Sequence, residues 1–245
     1  DETRLGRPSR PLDINPDAAY VAALHLGRSD EELGLVNLKG QVVAKESIEG
    51  GPLEEAEPGP FIDRAVEALG RLWEKSGVPQ EKVLGLGVAT TGVFDAATGT
   101  EARFWLNDGR LIRTDIPVRE RLLRTVTVPT VIETNAWAMA MGDRWFGNRE
   151  RDFVLFHVND GAAAAIVVNG ELYRGQGAAG EIAHTRVGEN RRPCSCGKRG
   201  CLAAVISRAA ILAQVEQVHK VKSIWDVVAL ANRRHPDVLE ILAEC

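Results

Sequence analysis

Residues 20–26, YVAALHL, form an apolar run of strand length. Shorter apolar stretches follow at 33–38 and 41–47, with Lys39-Gly40 between them as a turn candidate. This reads as a meander of two hairpins. Residues 49–59 are rich in glycine, proline and glutamate and read as a loop. From residue 61 the period changes. Phe61, Ile62, Ala65, Val66, Leu69, Leu72 and Trp73 recur at helical spacing as far as residue 76, and Gly77 suits the end of that helix. Residues 83–89 read as a buried strand, followed by Thr90, Thr91 and Gly92. A short helix is expected over 117–123, opened by Pro117. A strand is expected over 128–132, where Pro129 shortens it or holds it at a sheet edge. A helix over 135–146 completes the half.

The second half repeats the plan. Strands are expected at 153–158 and 162–168. Asn169-Gly170 is a strong hairpin signal, so 171–173 should pair back beyond it. Helices are expected near 202–219, 224–233 and 236–244. Each half therefore opens on a β-meander and continues with α/β material. The pattern by itself gives a two-lobed α/β protein.

Composition narrows the partners. At 245 residues the chain can hold one large domain or two lobes with sizeable cores. A formal net charge of −4 argues against this segment gripping nucleic acid by itself, because phosphate binding needs a basic face. No apolar run is long enough to span a membrane, and no amino-terminal signal pattern is present, so a cytoplasmic location is expected. Residues 1–19 are polar, proline-bearing and without periodicity. They read either as a disordered tail or as an interdomain linker.

The densest chemistry lies between Gly180 and Leu202, GEIAHTRVGENRRPCSCGKRGCL. Cys194 and Cys196 can reach one ion from a single tight turn. Gly197 and Gly200 let the backbone turn so that Cys201 reaches the same ion. With His184, three thiolates and one imidazole would complete the tetrahedral shell that zinc takes in a closed structural site. The alternatives are a disulfide, which a reducing cytosol disfavours, or reduced thiols. Cys245 lies far along the chain and is not expected to be a ligand.

Gly180, Glu181, His184, Cys194, Cys196, Gly197, Gly200, Cys201 and Leu202 resemble the signature of the ROK family of sugar kinases and sugar-responsive repressors, G-E-x-G-H followed by C-x-C-G-x-x-G-C-L-E. The match departs at Ala183, where the family has glycine, and at Ala203, where it usually has glutamate. The resemblance implies zinc on His184, Cys194, Cys196 and Cys201, and sugar facing Glu181 and His184. It also implies the two-lobed actin-like, ribonuclease H-like ATPase fold. Gly6 to Leu12 resembles the linker that joins an amino-terminal winged helix-turn-helix domain to the sensing domain in ROK repressors. The expected division is a linker over 1–19, an amino-terminal lobe over 20–132, and a carboxyl-terminal lobe over 133–245 that carries the zinc loop. By the same comparison the chain is expected to be incomplete at its carboxyl end, where family members continue with a further strand and helix.

The kinase motifs of the family are altered at three places. Its first phosphate loop resembles D-x-G-G-T, and here reads His25-Leu26-Gly27-Arg28-Ser29. Its second resembles G-T-G-x-G-x-G, and here reads Asn159-Asp160-Gly161-Ala162-Ala163-Ala164-Ala165. Arg28 would fill space that phosphate needs, and Asp160 would repel it. The catalytic motif resembles E-N-D-A-N, and here reads Glu133-Thr134-Asn135-Ala136-Trp137. Asn135 replaces the aspartate that takes the hydroxyl proton, and an amide is no base. No catalytic residue is therefore assigned.

A sugar site is still expected. Glu181 can hold two adjacent hydroxyls, and His184 fixed by zinc can donate to a third. Asn135 can bond a hydroxyl, and Asn107 lies near the family's sugar-binding asparagine. Trp105 and Trp137 read either as stacking platforms or as core. The expected function is the effector-sensing domain of a ROK transcriptional regulator. It would bind a sugar or sugar derivative, would reach DNA only through an upstream domain, and would assemble as a homo-oligomer. The alternatives are an ATP-dependent ROK sugar kinase, or a pseudo-kinase kept for dimerisation alone.

Overall fold

The computed structural model describes residues 12–27, 31–48, 58–91, 93–95, 100–105, 111–112, 118–147, 150–187 and 192–245. The first half supplies β1 (Tyr20–Leu26), β2 (Glu31–Asn37), β3 (Val42–Ser47), α1 (Pro58–Ser76), β4 (Val83–Thr90), β5 (Val93–Asp95), β6 (Thr100–Trp105), β7 (Leu111–Ile112), α2 (Val118–Leu123), β8 (Thr130–Thr134) and α3 (Asn135–Phe146). The second supplies β9 (Phe153–Val158), β10 (Ala162–Val168), β11 (Glu171–Leu172), α4 (Ala203–Ile206), α5 (Arg208–Val215), α6 (Ile224–Asn232) and α7 (Pro236–Ala243).

The meander at the start builds a five-stranded mixed sheet in the order β3-β2-β1-β4-β8. β1 runs antiparallel to β2 and parallel to β4, and β4 runs parallel to β8. Alternate residues of β1, namely Tyr20, Ala22, Leu24 and Leu26, are buried on one face. The stripe of α1 covers that sheet: Ile62, Ala65, Ala68, Leu69 and Leu72 all lie in the same core as Leu24, Leu35 and Leu86. Gly77 follows the helix at φ +65°, the left-handed end that its sequence position suggests. β8 begins immediately after Pro129 and lies at the sheet edge, as a proline there requires. The Pro129 carbonyl still accepts the Leu86 N–H at 2.8 Å, so the missing donor does not interrupt the join to β4.

A second, three-stranded sheet has the order β11-β10-β9. Val168 pairs with Glu171 across a two-residue turn, and Asn169 and Gly170 both take positive φ, 56° and 80°. α3 lies on this sheet through Ala136, Trp137 and Ala140, which pack with Ala165 and Val167. Trp137 is thus core, tied through its indole N–H to the Ala179 carbonyl at 3.2 Å.

Two features depart from the sequence pattern. A small antiparallel sheet, β5-β6-β7, lies where no strand was expected. The helix expected over 202–219 is two helices. Ser207 is extended (φ −64°, ψ 154°), and its hydroxyl accepts from the Ala210 N–H, capping α5. α5 then ends at Val215. Beyond it α5, α6 and α7 share a separate small core around Val215, Val221, Val227 and Val238.

Candidate effector cleft and cysteine–histidine centre

The parallel strands β1, β4 and β8 deliver their carboxyl ends to one cleft, the usual place for a ligand in an open α/β sheet. The cleft measures about 550 Å³. From the first sheet it receives His25, Glu32, Thr90 and Thr91. The β8–α3 junction gives Thr134 and Asn135, and the β9–β10 turn gives Asn159, Asp160 and Gly161. Glu181, Ala183, His184, Ser195 and Ala203 close the side formed by the cysteine segment. Three of the four expected sugar contacts, Asn135, Glu181 and His184, therefore meet in one cavity. Asn107 lies outside the described residues, as do Arg28 and residues 1–11. Trp137 does not line the cleft.

Asn135 opens α3 at the cleft wall. Its Oδ1 is buried with no hydrogen-bond partner, a state that folded proteins rarely leave unexplained. Glu133, two residues earlier, is engaged elsewhere, in an ion pair with Arg174. Arg174 also lies over the Trp137 ring, 5.4 Å from its centroid.

At the opposite wall Asp160 pairs with Arg208 at 2.6 Å, and the Arg208 N–H donates to the Asn159 carbonyl at 2.8 Å. This corrects the sequence reading that Asp160 stands as a bare repelling charge. Arg208, the first residue of α5, offsets that charge, so the objection to phosphate at this turn is not electrostatic alone. Ala162, Ala163 and Ala164 of β10 line the cleft beyond this turn.

The segment bearing Glu181 docks on β10 through Gly180. Its φ is +89°, and an added Cβ would meet the Ala164 carbonyl oxygen at 1.9 Å. The Ala164 N–H donates to the Gly180 carbonyl at 2.8 Å. Here glycine is required twice, for its φ and for the close approach. Downstream, Leu202 N–H donates to Thr185 O and Ala203 N–H to Ala183 O, both at 2.9 Å, which folds the cysteine loop back on His184. The two departures from the family signature, Ala183 and Ala203, are thus bonded to one another at the cleft.

The loop brings His184, Cys194, Cys196 and Cys201 together, with their ligand atoms all within 4.8 Å of one another. The Cys194 N–H donates to Lys198 O at 2.8 Å and the Gly197 N–H to Cys194 O at 2.9 Å, the tight turn that presents two thiols at once. Gly197 and Gly200 take φ of +83° and +75°. Cys196 Sγ lies 3.7 Å from Cys201 Sγ, far beyond the roughly 2.05 Å of a disulfide. Cys194 Sγ lies 3.5 Å from His184 Nδ1. A tetrahedral ion with bonds of about 2.3 Å to sulfur and about 2.05 Å to nitrogen spaces two sulfurs by about 3.8 Å and a sulfur and nitrogen by about 3.6 Å. The two measured edges fit that shell, so this group can hold a metal ion. Burial and the neighbouring thiols push the Cys201 thiol up to about 12. Cys196 is also desolvated, yet the Lys198 backbone N–H and the thiols beside it bring its pKa below the ordinary value. Cys245 is elsewhere, donating to Ile241 O at 3.1 Å.

Sequence reasoning missed His157. Phe153 and Leu155 face the second core, and His157 continues that period-two row into the cleft. A polar residue ending an apolar alternation was the available signal.

A family model described as the ROK family matches residues 21–245. A xylose repressor of Caldicellulosiruptor bescii is 29% identical over 226 residues, which is 89% of this chain and 54% of that protein. A glucokinase of Halalkalibacterium halodurans is 27% identical over 200 residues, 80% of this chain and 58% of that protein. The chain spans little more than half the length of these curated relatives. Among solved structures, a ROK family transcriptional regulator homologous to the E. coli MLC protein superposes with a TM-score of 0.79 at 20% identity, covering 96% of this chain and 61% of that one.

Proposed function

The chain belongs to the ROK family, and from that premise we propose that it is the sugar-sensing part of a transcriptional regulator and not a kinase. Asn135 carries the reading. By the motif resemblance it stands for the family's catalytic carboxylate, and it lies at the cleft wall with a buried Oδ1 that lacks a partner. An amide oxygen can accept a hydrogen bond from a sugar hydroxyl, but it has no basicity with which to take the proton. The similarity to xylose repressors supports the regulatory side of the reading.

In this reading a sugar or sugar derivative lies between Glu181, His184 and Asn135. Glu181 accepts from two adjacent hydroxyls, and Asn135 Oδ1 from a third. His184, Cys194, Cys196 and Cys201 would hold zinc. The ion would supply structural fixation of the loop, and no reaction step depends on it. Were Nδ1 to bind the ion, Nε2 would carry the His184 proton and could donate a hydrogen bond. DNA is reached through a separate domain, and a cytoplasmic homo-oligomer is the expected working form.

The test is a thermal-shift screen with a panel of aldoses, amino sugars and their phosphates, run beside a coupled assay for ADP formation. A ligand that binds only the folded state raises the melting temperature. At least one sugar should do so, with no sugar-dependent ADP. Sugar-dependent ADP formation would make the chain a ROK kinase, and a flat screen would leave it a scaffold without an effector.

A further inference from the structure

A second group of ligating side chains lies in the helical end of the chain, remote in sequence from the cysteine loop. His219, His235 and Asp237 bring three ligand atoms within 4.8 Å of one another. His219 follows the last turn of α5, where its N–H donates to Val215 O at 2.8 Å. His235 is the N-cap of α7, and Asp237 lies in the first turn of that helix. The two imidazoles meet edge to face with centroids 4.2 Å apart, and His219 Nε2 is 3.8 Å from Asp237 Oδ2.

Three features distinguish this group from an ordinary surface contact. First, His219 Nε2 and His235 Nδ1 are both buried and both lack a hydrogen-bond partner. The 3.8 Å approach of Asp237 is too long to be a hydrogen bond and leaves the first nitrogen unsatisfied. Second, His235 occupies a capping position but its side chain makes no cap hydrogen bond. Side chains that cap a helix turn an oxygen to its first N–H groups, and the His235 ring is turned to His219 instead. Third, its position is fixed: Arg234 takes φ +56° at the left-handed end of α6, where the His235 N–H donates to Leu230 O at 3.1 Å, so the helix terminus itself anchors His235.

We propose that His219, His235 and Asp237 form a second metal site, for a divalent transition ion of the zinc class. Two imidazoles and one carboxylate are the ligand set of zinc, nickel, cobalt and copper, whereas magnesium and calcium require oxygen throughout. Bonds of about 2.05 Å in a tetrahedron space ligand atoms by about 3.3 Å; the 3.8 Å pair closes by about half an ångström, and no pair, all lying within 4.8 Å, by more than about 1.5 Å. The ion takes both unpartnered nitrogens and keeps at least one position for water. It joins the end of α5 to the start of α7 across the small core of Val215 and Val238. Asp237 alone would be explained by the helix dipole, and a protonated His219 facing it by a simple ion pair. Neither account uses His235 Nδ1.

The experiment uses the intact chain with its cysteine site filled first by one equivalent of zinc under reducing conditions. Further zinc is then titrated by calorimetry, and cobalt by absorption spectroscopy, into the parent and into His219→Gln, His235→Gln and Asp237→Asn. The parent should take one additional equivalent. Both histidine variants should lose it or weaken it at least tenfold, and Asp237→Asn should weaken it less. The second cobalt equivalent should add weak visible bands without the intense near-ultraviolet thiolate transition that marks cysteine ligation. Circular dichroism identifies any variant that has unfolded, and Asp237→Asn, at an exposed position, keeps the comparison intact in that case. The absence of a second equivalent in the parent at millimolar zinc overturns the site. So does unchanged uptake in both folded histidine variants.

Discussion

Replacing Gly180 by alanine tests how the cleft is assembled. The new methyl would lie 1.9 Å from the Ala164 oxygen and 2.7 Å from its carbonyl carbon. Relieving it moves the segment that carries Glu181 and His184 away from β10 by roughly 1 Å, given the spacing at which packed atoms normally rest. Three contributions add. A left-handed alanine costs about 1–2 kcal/mol. Loss of the Ala164–Gly180 hydrogen bond costs about 1 kcal/mol. Overpacking against fixed backbone costs about 1–3 kcal/mol. The expected loss of stability is therefore about 4 kcal/mol by these principles. Gly177 provides a matched control. Its φ is also +89°, but no atom lies within 4 Å of its added Cβ. Gly177→Ala should cost only the conformational part, about 1–2 kcal/mol. Urea unfolding followed by circular dichroism gives both values, and calorimetry with the sugar found in the screen gives the second readout. Gly180→Ala should lose most of its affinity, while Gly177→Ala keeps it. Equal destabilisation by the two substitutions would refute the close approach as the reason for glycine at 180.

Three further outcomes are expected. Cys196→Ala should release zinc and weaken sugar binding in step while far-ultraviolet circular dichroism is nearly unchanged; Glu181→Ala should lose sugar and keep zinc, and a zinc-free Cys196→Ala that binds sugar as tightly as the parent would place the effector elsewhere. Under the proposed reading Asn135→Asp supplies a carboxylate but should not produce sugar-dependent ADP, because Ala163 and Ala165 stand where the motif resembled has glycine; a coupled assay decides it, and turnover above background would refute the reading that the phosphate turn is also defective. The Asp226 carboxylate accepts from the backbone N–H groups of Lys222 and Ser223 at 2.8 and 2.9 Å, which hold its pKa below 3.8. Its contribution to stability is therefore complete above that ordinary value and is lost as pH falls through the lower folded-state value. Asp226→Asn should reduce stability at neutral pH and flatten this part of the acid limb, as read by urea midpoints from pH 6 down to about 2; parallel curves for parent and variant would remove the cap from the account.

Much of the frame was legible because the decisive signals were local. The run from Tyr20 to Leu26, the stripe of α1 and the Asn169-Gly170 turn each contain the whole reason for the element they form. The helix expected over 135–146 occupies Asn135–Phe146. The break at Ser207 was hidden because its neighbours keep helical periodicity; its extended backbone and its hydroxyl's bond to the Ala210 N–H show that a new helix starts there. The β5-β6-β7 sheet was missed for another reason: β5 and β7 have three and two residues, too few for alternation to register, and in β6 the alternation is confined to Glu101-Ala102-Arg103-Phe104. At the site, the cysteine spacing was readable from the chain because one loop supplies it. The Asp160–Arg208 pair and the His219, His235 and Asp237 group depend on how elements separate in the chain pack, and no sequence interval announces them.

His184 stands in two settings at once, one ring edge toward Cys194 and the ring itself on the cleft wall. Under the proposed reading this closes the position to gradual evolutionary change. Any replacement that retunes recognition of an effector also removes a ligand and loosens the loop. Ala183 and Ala203 carry no such double duty, since they contribute backbone bonds to each other and only methyl groups to the cavity. A genetic selection for response to a new sugar should therefore return substitutions at 183 and 203 and leave histidine at 184 untouched.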